Sequence, residues 1–254
     1  MREQAEINKI AWEYNVYEAW TRMNGSPAEF AREIKANPVV REIHRQYFDN
    51  VSEKKIANPC GSNGRQAIPL ALCGNDVTVF DISEGNKRYA LELAKKAGVE
   101  IEYVLGDFCE TDIIKYGDMF DIVYTEGGIL HFFSDINVFM KTVYAITKPN
   151  GQLILSDHHP FRKIGYSGEH CDYFDTQVRE RQVPFRYQFP EEERDSFPET
   201  MIRFYNLSEI INAVISSGFT LVEFVEHPAI YLSWVNDEKA PGEFTIVAEK
   251  IKQR

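Results

Sequence analysis

Long apolar runs and excess positive charge are both missing from this chain of 254 residues. No run of 18 or more apolar residues occurs, so the sequence predicts no membrane-spanning helix. The opening residues Met1-Arg2-Glu3-Gln4 lack the apolar core of a signal peptide, which predicts a cytoplasmic protein. Lys and Arg total 28 against 39 Asp and Glu, a formal net charge of −11. Such a surface repels phosphate backbones and argues against nucleic-acid binding.

Cysteines are few and widely spaced. The chain has four, which share no C-x-x-C spacing: Cys60, Cys73, Cys109 and Cys171. This pattern argues against a zinc knuckle or a disulfide framework, and it suits reduced cysteines.

The first 50 residues have a helical pattern and no alternating strand pattern. Apolar spacing predicts one helix over residues 6–22, with Ile10, Tyr14 and Tyr17 on one face. Gly25-Ser26-Pro27 ends that helix, and Ser26 is the predicted N-cap of a second helix over residues 28–35.

Beyond Glu53, predicted strands and helices alternate. Strands are predicted at 55–59, 76–82, 100–105, 120–125, 153–156, 219–225 and 244–248. Helices are predicted at 65–73, 84–97, 134–146 and 207–217. This alternation is typical of an α/β fold with a mostly parallel sheet, in which ligands bind at the carboxyl ends of the strands.

The turns after the first three strands contain residues suited to a nucleoside ligand. Gly61 to Gly64 form a glycine-containing turn before a helix, where backbone and ligand can approach closely. Asp81 ends the second strand and can accept hydrogen bonds from both hydroxyls of an adenosine ribose, or it can simply cap a helix. Asp107 follows the third strand and can accept from an adenine amino group, or it can be an ordinary turn residue.

These segments, in order, resemble the class I S-adenosylmethionine-dependent methyltransferases. The matching runs are NPCGSNGRQAIPLAL at 58–72, VTVFDIS at 77–83, Gly106-Asp107, FDIVYTEGG at 120–128 and KPNGQLIL at 148–155. The resemblance implies a Rossmann-like, doubly wound, mostly parallel seven-stranded sheet with an antiparallel last strand. It implies one domain over 1–254, with a helical cap (1–50), a cofactor-binding half (51–157), an inserted lid (158–205) and a C-terminal helix with strands (206–254).

The resemblance also implies which residues bind the cofactor, S-adenosylmethionine, whose product is S-adenosylhomocysteine. The methionine part would be lined by Gly61, Ser62, Asn63 and Gly64. Asp81 would hold the ribose and Ile82 would pack on the adenine. Asp107 and Phe108 would contact the adenine, and Glu126 and Gly127 would lie beside the methionine and the sulfonium.

One position departs from the family pattern. The family usually has an acidic residue on the first strand, just before the glycine loop. This chain has Ala57 or Asn58 there, and Pro59 where a glycine is common. Asn63, a backbone carbonyl or another side chain would have to replace the acidic contact.

Aromatic residues precede the cofactor-binding half. Tyr17 and Trp20 can hold a sulfonium by cation–π attraction. The alternative is that both belong to the core of the helical cap.

Three histidines follow predicted strands. His131, His158 and His159 are candidate general bases for an acceptor that must lose a proton. The alternative is a structural histidine in each case. Asp157 beside two histidines suggests a metal site, but the sequence shows no further ligand at a suitable spacing, so no metal is predicted. In the insertion, a surface lid or an oligomer contact is the favoured interpretation of Tyr166, His170, Tyr173 and Arg186, and a substrate-facing role is the alternative for each.

The sequence therefore predicts a methyltransferase that acts on a small-molecule acceptor at an oxygen, nitrogen or sulfur atom, without nucleic-acid or membrane partners. A non-catalytic protein that binds S-adenosylmethionine or S-adenosylhomocysteine is one alternative. An NAD-dependent oxidoreductase is another, although it would need G-x-G-x-x-G where this loop has only Gly61-x-x-Gly64. A homodimer stays open.

Overall fold

A computed structural model describes residues 2–162, 172–228 and 240–251 of the chain. Tyr166 and His170, two of the candidate substrate-facing residues, lie outside these ranges, as does Cys171. Within the described ranges, no helix combines the length and apolar character that crossing a membrane requires.

Nine α-helices and nine β-strands are found in the described residues. The helices are α1 (Arg2–Glu13), α2 (Val16–Asn24), α3 (Pro27–Ala36), α4 (Ala67–Leu72), α5 (Glu84–Ala97), α6 (Ile113–Tyr116), α7 (Ile136–Ile146), α8 (Glu191–Arg194) and α9 (Leu207–Ser216). The strands are β1 (Lys55–Pro59), β2 (Asp76–Asp81), β3 (Glu102–Leu105), β4 (Phe120–Thr125), β5 (Thr147–His158), β6 (Val178–Gln182), β7 (Glu199–Arg203), β8 (Thr220–Pro228) and β9 (Pro241–Glu249).

The chain divides into two compact units. The N-terminal unit comprises residues 2–111 together with 181–200. The C-terminal unit comprises the described parts of 112–180 and 201–254.

The sheet has the predicted character. In the N-terminal unit the strand order is β3-β2-β1 and both pairings are parallel. In the C-terminal unit the order is β4-β5-β9-β8, in which β4 and β5 are parallel and β9 is antiparallel to both of its neighbours. These seven strands confirm the predicted Rossmann-like fold with an antiparallel last strand. Strands β6 and β7 form a separate two-stranded sheet.

The N-terminal helices differ from the prediction in one respect. The single helix predicted over 6–22 is wrong, because Asn15 adopts a left-handed conformation (φ 54°) that separates α1 from α2. Ile10, expected on a shared apolar face, is 62% exposed. The second helix is confirmed as α3, which begins with a capping box between Ser26 and Glu29.

Two local predictions in the C-terminal unit need correction. Helix α7 begins at Ile136 rather than at the predicted residue 134, and it is capped by Asp135, whose carboxylate accepts from Asn137 N at 2.9 Å. Strand β5 is longer than predicted and includes the Pro149-Asn150-Gly151 segment. Asn150 takes a left-handed φ of 64°, and its N–H donates to Lys250 O at 2.6 Å. A turn sequence can lie within a strand here because Lys250, directly after β9, bonds to it on both sides: its N–H also donates to Gly151 O at 3.0 Å.

The insertion contributes to the core of the N-terminal unit. Val183, Phe185, Phe189 and Phe197 are buried against three small apolar residues of α1 and α2: Ala11, Val16 and Ala19. Burial of each phenylalanine contributes about 1.5–3 kcal/mol of transfer free energy. Residues 181–200 are therefore tied to the N-terminal helices by a hydrophobic cluster.

Candidate active site

The loop after β1 has a constrained backbone. Cys60 and Ser62 have left-handed φ values of 52° and 50°. Residues other than glycine adopt this backbone conformation at a cost in free energy. Two hydrogen bonds hold Ser62 in place: its N–H donates to Asp81 Oδ2 at 3.0 Å, and its carbonyl accepts from Tyr103 Oη at 2.8 Å. The second and third strands thus fix the conformation of the loop.

Gly61 is required by close packing. A Cβ atom at this position would lie 2.3 Å from Asn58 Oδ1. Asn58 is buried at the position where the family usually has an acidic residue. Its side chain therefore lies against the backbone of the glycine loop.

Two polar atoms of the loop are buried without a hydrogen-bond partner in the described chain. They are Ser62 Oγ and Asn63 Nδ2. Asn63 is only 2% exposed, and its Oδ1 accepts from Arg65 N at 3.2 Å. Buried polar atoms without partners are costly, so these two suit a polar ligand such as an amino-acid group. The loop therefore fits the methionine part of S-adenosylmethionine, and Asn63 offers a polar contact where the acidic residue is missing.

Asp81 anchors the turn between β2 and α5. Its Oδ1 accepts from Ser83 N and Asn86 Nδ2, each at 3.0 Å, and its Oδ2 accepts from Ser62 N. Burial raises the pKa of Asp81, although these hydrogen bonds favour the ionised form. Asp81 thus supports the turn, while Ser83 caps α5. Its role in binding the ribose stays a prediction.

Trp20 is linked to Asp81 through a residue that the sequence did not single out. Trp20 Nε1 donates to Asn86 Oδ1 at 2.7 Å, and Asn86 Nδ2 donates to Asp81 Oδ1 at 3.0 Å. Asn86 is buried in the first turn of α5. The only sequence feature that could have identified Asn86 is its position three residues after the N-cap Ser83.

Glu13 was also missed. Its Oε2 accepts from Ser83 Oγ at 2.7 Å and from Gly85 N at 3.1 Å. A carboxylate at a helix N-terminus is favoured by the exposed N–H groups and the helix dipole. Glu13 therefore attaches α1 to the start of α5, whose N-cap Ser83 follows Asp81 closely in the chain.

Tyr17 and Trp20 pack against the same hydrophobic cluster, but their polar contacts differ. Its Oη donates to Glu92 Oε2 at 2.6 Å, and the Arg88 guanidinium carbon lies 3.7 Å from its ring centroid. Its ring also meets Tyr89 edge-on, at 5.5 Å between centroids. These contacts pack α2 on α5, which corresponds to the structural alternative for Tyr17. Trp20, but not Tyr17, joins the Asp81 hydrogen bonds.

The turn after β3 has a capping aspartate and a buried aromatic residue. Asp107 Oδ1 accepts from Cys109 N at 2.9 Å, and burial raises the Asp107 pKa. Phe108 is buried and packs edge-on against Phe80, with centroids 5.5 Å apart. Ile82, after β2, is half-buried. Asp107 therefore caps a turn with one oxygen, and the adenine contacts of these residues stay predictions.

In the C-terminal unit, two glycines follow Glu126 at the end of β4. Gly127 has φ 99° and open space around its Cβ position. Gly128 has φ 78°, and a Cβ there would lie 2.3 Å from His158 Cε1. The His158 ring therefore rests directly on the backbone of Gly128. The structure gives no contact that assigns Glu126 or Gly127 to the cofactor.

Asp157, at the end of β5, holds the loop that follows β4. Its Oδ2 accepts from Ile129 N at 2.9 Å and from Leu130 N at 2.8 Å, and its Oδ1 accepts from His158 N at 2.5 Å. Burial raises the pKa of Asp157 to about 6 despite these bonds.

His131 and His158 are brought together. Their ring centroids are 6.1 Å apart, and the planes of the two rings are nearly parallel, with an interplanar angle of 14°. Burial, with a smaller effect of Arg162, lowers the pKa of His131 to about 4. Its imidazole is therefore neutral at pH 7 and can accept a proton or a metal ion at a ring nitrogen.

The contacts of His159 correspond to the structural alternative, and its role as a general base stays a prediction. It is 1% exposed; Nδ1 accepts from Phe161 N at 3.2 Å, and Nε2 lies 2.9 Å from Glu226 Oε1. Burial lowers its pKa against the opposing effect of Glu226. Because both ring nitrogens face protein partners, His159 connects the end of β5 to β8 and does not join His131.

Two candidate substrate-facing residues of the insertion also have structural contacts. Tyr173 Oη accepts from Leu207 N at 3.1 Å, at the start of α9. The Arg186 guanidinium lies over the Tyr187 ring at 4.8 Å. Neither contact identifies a substrate.

Comparison with known proteins identifies a methyltransferase-like segment. Residues 59–155 match the family model described as "Methyltransferase domain". This match lies within the predicted cofactor-binding half and supports the resemblance to the class I S-adenosylmethionine-dependent methyltransferases. The match supports an enzyme of the methyltransferase kind, and the structural relatives described below support S-adenosylmethionine as its cofactor.

Curated relatives of this methyltransferase include two kinds of protein. One is the uncharacterized methyltransferase YbaJ of Bacillus subtilis, 22% identical over 76% of this chain and 76% of that protein. Another is the ubiquinone biosynthesis O-methyltransferase of Rickettsia prowazekii, 29% identical over 57% of this chain. The match spans 56% of that enzyme's length.

Solved structures show the same fold. The magnesium protoporphyrin IX methyltransferase of Synechocystis, with bound S-adenosylhomocysteine, aligns over 97% of this chain and 99% of its own, with TM-score 0.61 and 14% identity. The 1,6-didemethyltoxoflavin-N1-methyltransferase of Burkholderia thailandensis aligns over 99% of this chain and 90% of its own, with TM-score 0.59 and 16% identity.

Proposed function

We propose that this methyltransferase acts on a small molecule whose acceptor atom carries a proton, and that a hydroxyl oxygen is the acceptor. The relatives named as ubiquinone biosynthesis O-methyltransferases support oxygen. The Burkholderia enzyme, named as an N1-methyltransferase, keeps nitrogen as the next candidate. The acidic charge balance favours a small acceptor over DNA or RNA.

The cofactor-binding part of the proposal rests on the glycine loop. The single observation that carries it is the pair of buried polar atoms without partners, Ser62 Oγ and Asn63 Nδ2. Ser62 and Asn63 would hold the methionine group, Asp81 the ribose and Asp107 the adenine. When bound, S-adenosylmethionine supplies a methyl group activated by its sulfonium sulfur. Because Asp81 and Tyr103 fix Ser62 beforehand, little reorganisation of the loop is needed.

The acceptor part of the proposal rests on the C-terminal unit. A hydroxyl must lose its proton to become a good nucleophile. His131 and His158 are the titratable pair that would contact the acceptor atom and assist this loss. Glu126 and Gly127 are retained as predicted cofactor contacts. Location in the cytoplasm and a homodimer stay predictions.

A transfer assay with a labelled methyl group tests this function. The purified chain would be incubated with S-adenosylmethionine and a panel of phenols, catechols, amines and thiols, and the products would be identified by mass spectrometry. We expect the wild type to methylate hydroxylated compounds. At limiting cofactor, the Ser62→Ala/Asn63→Ala double variant should methylate them more slowly. S-adenosylhomocysteine binding without turnover on any compound would favour a non-catalytic binder instead.

A further inference from the structure

A compact group of three ligand-type side chains lies in the C-terminal unit. His131 follows β4, while Asp157 and His158 end β5, the parallel neighbour of β4. Each offers a ligand atom, and these atoms lie within 4.8 Å of one another. Two imidazoles and one carboxylate are a ligand set that Zn²⁺, Co²⁺, Mn²⁺ and Fe²⁺ accept.

Asp157 is a buried carboxylate without a cationic partner in the described chain. It is 4% exposed, and its hydrogen bonds come from backbone N–H groups of Ile129, Leu130 and His158. Buried carboxylates are usually paired with a cation or bound to a metal. The same backbone bonds orient the carboxylate, as hydrogen bonds around metal ligands commonly do.

The two imidazoles are also held by their surroundings. The ring of His158 lies on Gly128, where a Cβ atom would collide with it. The ring of His131 has the rings of His158 and Phe204 as neighbours, with centroids 6.1 Å and 6.0 Å away. Metal–nitrogen bonds of about 2.1 Å separate tetrahedral ligand atoms by roughly 3.4 Å, so binding needs a closure of no more than roughly 1.5 Å.

We propose that His131, Asp157 and His158 bind one divalent transition-metal cation. The sequence alone predicted no metal, because His131 is distant in the chain from the Asp157-His158 pair. Three protein ligands leave coordination positions for an oxygen from a small molecule.

The role of this cation in catalysis rests on the proposed function. A hydroxyl oxygen of the acceptor would bind the cation, its O–H bond would break, and the proton would pass to bulk water. The electron pair stays on oxygen, and the cation stabilises that charge. Under this proposal His131 and His158 assist the acceptor through the metal rather than by taking its proton directly.

Cobalt titration tests the site directly. Chelator-treated protein would be titrated with Co²⁺ and followed by visible absorption. We expect one equivalent to bind, with a ligand-field band that is lost in His131→Gln and in His158→Gln. His227→Gln is the matched control, because His227 contacts Thr245 on β9 and should leave the band unchanged. Thermal melting would show that each variant is folded.

The outcomes are separable from those of the methyltransferase proposal. S-adenosylhomocysteine binding would be measured on the same metal-free samples. Absence of saturable Co²⁺ absorption, or a band that survives in both His131→Gln and His158→Gln, overturns the metal site even if S-adenosylhomocysteine binds. Conversely, loss of cofactor binding with an intact cobalt band counts against the proposed function alone.

Discussion

The indole N–H of Trp20 donates a 2.7 Å hydrogen bond to Asn86 Oδ1, and Asn86 in turn donates to Asp81. This relationship attaches α2 to the carboxylate proposed to hold the cofactor ribose. The polar partners of Tyr17 are different: they are Glu92 and Arg88, farther along α5. Within the N-terminal unit, cofactor binding and the position of α2 should therefore be coupled.

Replacing Trp20 tests that coupling. Trp20→Phe keeps an aromatic ring but leaves buried Asn86 Oδ1 without its donor. One lost hydrogen bond is worth about 0.5–1.5 kcal/mol, so we expect S-adenosylhomocysteine affinity to fall roughly 2- to 12-fold. Calorimetric titration measures this change, and Trp12→Phe serves as the matched control because Trp12 packs on Phe185 in the hydrophobic cluster. Equal affinity of Trp20→Phe and wild type would contradict the coupling.

The pH dependence of cofactor binding should show the protonation of the Asp81 carboxyl. Its raised pKa means that the folded carboxyl takes up a proton at a higher pH than a free aspartate. Its charge therefore destabilises the fold above that pKa, and the cost is relieved as pH falls towards the unfolded value. We expect S-adenosylhomocysteine affinity to decrease on acidification before free aspartates titrate. The comparison is with Asp81→Asn over the same pH range, for which this component of the decrease should be missing.

Gly128 should be intolerant of any side chain. Gly128→Ala would place a methyl group against the His158 ring, so we expect loss of Co²⁺ binding together with a lowered melting temperature. Gly98→Ala is the control for positive-φ strain, since Gly98 has φ 83° and no atom within 4 Å of its Cβ position. That control should cost about 1 kcal/mol and keep metal binding. Intact Co²⁺ binding in Gly128→Ala would show that His158 is not held as described.

Residues 181–200 should stabilise the N-terminal unit. Phe197→Ala removes a buried ring that packs against Tyr14, Phe185 and Phe189, so we expect a loss of about 3–5 kcal/mol in the free energy of unfolding. Phe174→Ala, at a side chain that is 71% exposed, should change it by less than about 0.5 kcal/mol. Urea denaturation followed by tryptophan fluorescence measures both. A change in the free energy of unfolding that is equally small in Phe197→Ala and Phe174→Ala would mean that residues 181–200 are not part of this core.

The fold was predictable because its signals are local. Alternating apolar segments located the strands, and caps such as Ser26 and Ser83 located helix starts. Asn15 was not predicted to break a helix, because nothing in its neighbours marks a left-handed residue. The length of β5 was underestimated because distant residues fix it: β9 pairs with residues 152–158, and Lys250 bonds to Asn150 and Gly151.

The candidate site was only partly predictable for the same reason. Ser62 and Asn63 follow β1 and Asp81 ends β2, so all three could be singled out from sequence order. Asn86 and Glu13 act through side-chain hydrogen bonds that have no sequence motif. His159 follows the same strand as His158, and only the position of Glu226 on β8 shows that its ring is engaged elsewhere.

One measurement tests the central claim most directly: calorimetric titration of the purified chain with S-adenosylhomocysteine, beside Asp81→Ala, the Ser62→Ala/Asn63→Ala double variant and an NAD titration. The account predicts saturable binding to the wild type that is at least tenfold weaker in both variants, and no saturable binding of NAD. Binding that is unchanged in both variants, or a preference for NAD, would contradict the assignment of the loop after β1 and of Asp81 to the cofactor.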